Sequence, residues 1–148
     1  MTRLEYLKSL MPIIYPSFYT VFNNSLDELV FLDDGDRLSF YTNEAGIAIG
    51  NFIDDKTRCE AINNHFHLFD KVGAEKRDIA FQIGREIAQN LLNSLIAAFP
   101  TKKFVVYLEL NTKDSTIIRF HQIWDNEPPY FDVKQTYQED LELFEFKN

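Results

Sequence analysis

Apolar positions recur most regularly between Ala74 and Phe99. Ala80, Ile83, Ile87, Leu91, Leu95 and Phe99 keep an i, i+4 spacing, and Gly84, Ala88, Leu92 and Ile96 widen the stripe. That 3.6-residue period predicts a long amphipathic helix laid on a large apolar surface. Pro100 ends it. Gly84 in mid-helix costs about 1 kcal/mol relative to alanine, which predicts a close approach of a strand at that point.

Patterning on either side of this helix is β-like. Phe104 to Leu110 and Ile117 to Trp124 are rich in β-branched and aromatic residues, and Asn111 to Ser115 is a hairpin-sized loop. Upstream, Leu29 to Leu32 and Arg37 to Tyr41 flank Asp33-Asp34-Gly35-Asp36, and Asp-Gly is a strong hairpin cue. Ile47 to Ile53 and His65 to Phe69 read as further strands. Thr2 to Met11 has capping-box spacing and predicts a short N-terminal helix, and Ser17 to Phe22 reads as another. Lys56 to Asn64 fits helix or loop, and Gln135 to Phe146 fits helix or strand. The sum is an α+β fold: a mostly antiparallel sheet with one long amphipathic helix on one face, plus the short N-terminal helix. No repeat, low-complexity run or linker divides residues 1–148, so one domain is expected.

Composition narrows the function classes. The formal net charge of −8 disfavours nucleic acid and anionic membrane as partners and suits a basic protein. The single cysteine, Cys59, fits a reducing compartment. No secretory signal or uninterrupted apolar span is read from the chain, so the expected location is the cytoplasm. Fourteen phenylalanines are more than usual, enough for a core and for an exposed aromatic patch.

Motifs for chemistry are sparse. His65 and His67 form an H-x-H pair that shares one face of a strand and could reach one metal ion, with His121, Cys59, Asp70 or a distant carboxylate as further ligands. Cys59 beside a histidine could form a thiolate–imidazolium pair, but Thr57-Arg58-Cys59-Glu60 carries no nucleophile signature. The aspartate-rich turns lack the ligand ladder of an EF-hand. No phosphate-binding glycine loop or nucleophile elbow occurs, and no cofactor is expected.

The most distinctive stretch is Arg119 to Asp132. Trp124, Tyr130 and Phe131 are anchor-type residues, with Asp125, Glu127 and Asp132 around them. Glu139, Asp140, Glu142 and Glu145 then make the C-terminal quarter rich in acid. The expected contact surface for a basic partner is therefore Trp124, Asp125, Glu127, Tyr130, Phe131, Asp132, Glu139 and Asp140.

In size, charge, α+β layout and want of catalytic motifs, the chain resembles the small acidic cytoplasmic immunity proteins of bacterial toxin systems, including contact-dependent inhibition. The resemblance implies a non-catalytic inhibitor that sequesters a toxin domain, often a nuclease. Two other readings stand beside it: a metal-dependent enzyme using His65 and His67, and an oligomeric scaffold that buries surplus phenylalanines.

Overall fold

The computed structural model describes residues 18–22, 29–33 and 56–148. The expected helix over Thr2–Met11 and the strands over Arg37–Tyr41 and Ile47–Ile53 lie outside these residues.

Strand β1 (Phe18–Phe22) pairs antiparallel with β2 (Leu29–Asp33), from Phe18 opposite Asp33 to Phe22 opposite Leu29. The helix expected over Ser17–Phe22 is thus a strand. Phe-Tyr-Thr-Val-Phe is almost entirely aromatic and β-branched, and such side chains fit a pleated surface better than a helical turn.

Helix α1 (Lys56–Asn63) resolves the ambiguous segment. A side chain far along the chain satisfies one of its free N-terminal donors: Thr57 N–H donates to Glu127 Oε1 at 2.8 Å. Strand β3 (His65–Asp70) follows, with a register shift between His67 and Phe69. One 3-10 turn, Ala74–Lys76, leads into the long helix α2 (Arg77–Ala98). Its buried residues are Ala80, Ile83, Gly84, Ile87, Ala88, Leu91, Leu92 and Leu95, which is the stripe the spacing predicts.

Strands β4 (Phe104–Asn111), β5 (Ser115–Gln122) and β6 (Leu141–Lys147) complete a four-stranded antiparallel sheet in the order β3-β5-β4-β6. The tail that fitted helix or strand is therefore an edge strand. Its tertiary partner decides the matter, because Phe144 and Phe146 pack against the core from β6.

Every residue of β4 is buried, as expected of a strand covered on both sides. On one face α2 packs over Phe104, Val106, Leu108, Ile118 and Phe120. The described phenylalanines concentrate here, with Phe66, Phe69, Phe81, Phe99, Phe144 and Phe146 partly buried against the same core. The opposite face carries Tyr107, Glu109, Arg119 and His121 and is covered differently. There α1 lies against β5, and Tyr130 and Phe131 fold over the strands as a strap.

Candidate functional site

This second face holds most of the buried polar chemistry. Glu60 of α1 is fully buried and accepts three hydrogen bonds: Trp124 Nε1 at 2.6 Å, Gln122 Nε2 at 2.8 Å and Gln122 N at 3.2 Å. One carboxylate thus joins the helix to the end of β5 and fixes the indole. Lys56 Nζ stands 4.2 Å from the Trp124 ring centre and 4.0 Å from Glu127. Burial pushes the Lys102 amine down, and the charge of Glu60 opposes that shift.

A chain of hydrogen bonds ties the strap to the sheet. His121 Nδ1 lies 2.6 Å from the Gln122 carbonyl, which can only accept, so Nδ1 carries the proton. His121 Nε2 then accepts from Tyr107 Oη at 3.0 Å and from Tyr130 N–H at 3.2 Å. Tyr107 Oη accepts in turn from Phe131 N–H at 3.4 Å. The Tyr107 and Phe131 rings meet edge-on with centres 5.2 Å apart. Desolvation pushes the Tyr107 phenol up to about 12. A phenol held neutral this firmly donates a hydrogen bond and does not act as a base near neutrality. Beside it Arg119 bonds Glu109 Oε2 at 2.8 Å and the Ala61 carbonyl at 2.7 Å, with the Tyr130 ring centre 5.1 Å away.

A cleft of about 210 Å³ opens over this network, lined among others by Tyr107, His121, Trp124, Pro128 and Pro129. Small-molecule sites usually run to roughly 300–1,000 Å³. This one is below that range and has room for a single bulky side chain.

Most of the expected contact residues have partners within the chain. Trp124 is half-buried on Glu60 and Lys56, and Glu127 holds the start of α1. Tyr130 and Phe131 form the strap. Asp140 pairs with Lys113 at 3.3 Å. Glu142 bonds Arg77 Nε at 2.9 Å, and that bond holds its carboxyl below the ordinary value. Asp125, Asp132 and Glu139 are exposed, with Asp132 Oδ1 accepting from Lys134 N–H. Two large apolar side chains that no sequence signal marks are left exposed among the described residues, Ile123 at 45 % and Tyr137 at 42 %. Residues 1–55 add nine acids against Arg3, Lys8 and Arg37, which is six of the eight net negative charges.

The other candidates separate. His65 and His67 lie exposed on β3, whereas His121 is buried in the strap network, so it is not available as their third ligand. Among the described residues no three histidine, cysteine, aspartate or glutamate side chains are placed to hold a metal ion. Cys59 falls within α1. No helix among the described residues is long and apolar enough to cross a membrane. No protein-family model matches the chain, and no curated protein or solved structure does either.

Proposed function

We propose that this chain is a non-catalytic binding protein that sequesters a basic protein partner, in the manner of an immunity protein set against its cognate toxin domain. One observation carries the reading. Ile123 and Tyr137, the two exposed large apolar residues among those described, both fall in the acid-rich segment that contains Asp125, Asp132 and Glu139. Exposed apolar anchors in a segment with four acids and the one base Lys134 suit a protein interface: the charge speeds encounter and the anchors slow release. The acid surplus of residues 1–55 adds to the same long-range attraction. The buried Tyr107–His121 pair supports the non-catalytic part, since Nε2 already accepts two bonds and the phenol is held neutral.

The test uses the product of the coding sequence beside this one. A basic domain that forms a one-to-one complex with the chain in calorimetry, and loses its toxicity or enzymatic activity in that complex, is the expected result. Tyr137→Ala and Ile123→Ala should then raise the dissociation rate. Failure of a basic neighbouring product to bind removes the immunity reading.

A further inference from the structure

We infer that His65 and His67 form a two-imidazole chelate for a divalent late-transition-metal ion such as Zn²⁺, independent of the partner surface proposed above. Both residues sit on β3 two positions apart, and both are exposed. Alternate strand residues share a face, so the two rings rise side by side from one rigid backbone. Their centres are 5.8 Å apart, with planes inclined at 63°. Two imidazoles bound at about 2.0–2.1 Å to one tetrahedral ion have ring centres roughly 5 Å apart. Binding therefore requires the two rings to draw slightly closer than they stand in the free chain.

Protonation is already arranged on one ring. His65 Nδ1 lies 2.7 Å from the Ile62 carbonyl at the end of α1. A carbonyl only accepts, so Nδ1 carries the proton, and in the neutral imidazole Nε2 keeps its lone pair. Metal-bound histidines are usually oriented this way, with the second ring nitrogen donating to a backbone carbonyl or carboxylate. The nearest strand neighbour of the same face is Arg119, paired opposite His65. Its charge is matched by Glu109 at 2.8 Å, and its NH1 is engaged by the Ala61 carbonyl. The positions of the ion not filled by His65 and His67 fall to water, so the ion binds reversibly.

Calorimetric titration of the untagged full chain with Zn²⁺, in a buffer that does not coordinate metal, tests this. The expected result is one ion per chain with micromolar affinity. His65→Ala and His67→Ala should each weaken binding by about 10-fold or more, as loss of a ligand from so small a set demands. Both residues are exposed, so thermal unfolding of the variants should match the parent. Undiminished Zn²⁺ binding in the double alanine variant, or no binding by the parent chain, overturns the proposal.

Discussion

Gly84 of α2 lies so close to Leu108 of β4 that a Cβ built on the glycine would stand 2.7 Å from Leu108 Cδ1 and 3.0 Å from Cδ2. The close approach foreseen from a mid-helix glycine is therefore real, and its partner is the fully buried centre of the sheet. Alanine at this position gains about 1 kcal/mol of helix propensity. It also forces Leu108 against packed neighbours, which typically costs about 1–3 kcal/mol. Gly84→Ala is expected to lower stability by about 1 kcal/mol in denaturant unfolding. Leu108→Ala should be less damaging in the Gly84→Ala background than alone, because the new methyl fills part of the space.

Glu60 makes a second prediction. Glu60→Ala removes the acceptor of Trp124 Nε1 and of both Gln122 donors at a site closed to water. Orphaned buried donors cost about 1–3 kcal/mol, so a loss of roughly 2–4 kcal/mol is expected from equilibrium unfolding. Trp124 fluorescence should shift to the red as the indole gains access to water, which reports locally on the same break.

Tyr107 should control alkaline stability. Its phenol titrates near 10.0 when unperturbed and is pushed up to about 12 in the folded chain. A folded value above the unfolded one means that folding favours the neutral form. That contribution is fully present below pH 10 and is lost as pH rises toward 12. Tyr107→Phe should therefore flatten the fall in stability across that window. At neutral pH it should cost about 1–2 kcal/mol, since Phe131 N–H loses its acceptor and His121 Nε2 loses a donor.

Thr116 points to a stabilising change. Its Oγ1 is the buried side-chain polar atom without a hydrogen-bond partner among the described residues, and the residue is fully buried. Thr116→Val keeps the shape and removes the unsatisfied hydroxyl. A gain of about 1 kcal/mol in thermal or denaturant unfolding is expected.

The helix α2 and the β4–β5 hairpin were legible because their signals are local: a 3.6-residue stripe over 22 residues and two β-branched runs around a short loop. Segments decided by distant partners were not. α1 takes Glu127, 70 residues on, at its N-terminus, and β6 is a strand because β4 offers it a ladder. Phe18–Phe22 was misread as helical between its flanking proline and asparagines, where aromatic and β-branched side chains outweigh such end signals. The inward engagement of several expected contact residues was not legible for a related reason. Anchor-type residues are also the residues that fill cores, and composition does not say which way Trp124, Tyr130 and Phe131 turn. Ile123 and Tyr137 carried no local mark of exposure at all.

The proposed role is tested most directly by the salt dependence of association with the neighbouring basic domain. Stopped-flow rates should fall about 10-fold or more between low and physiological ionic strength. Asp125→Lys combined with Glu139→Lys should slow association at low salt while leaving the chain's own unfolding unchanged, as both side chains are exposed. An association rate indifferent to salt and to both charge reversals would contradict electrostatic capture through this surface.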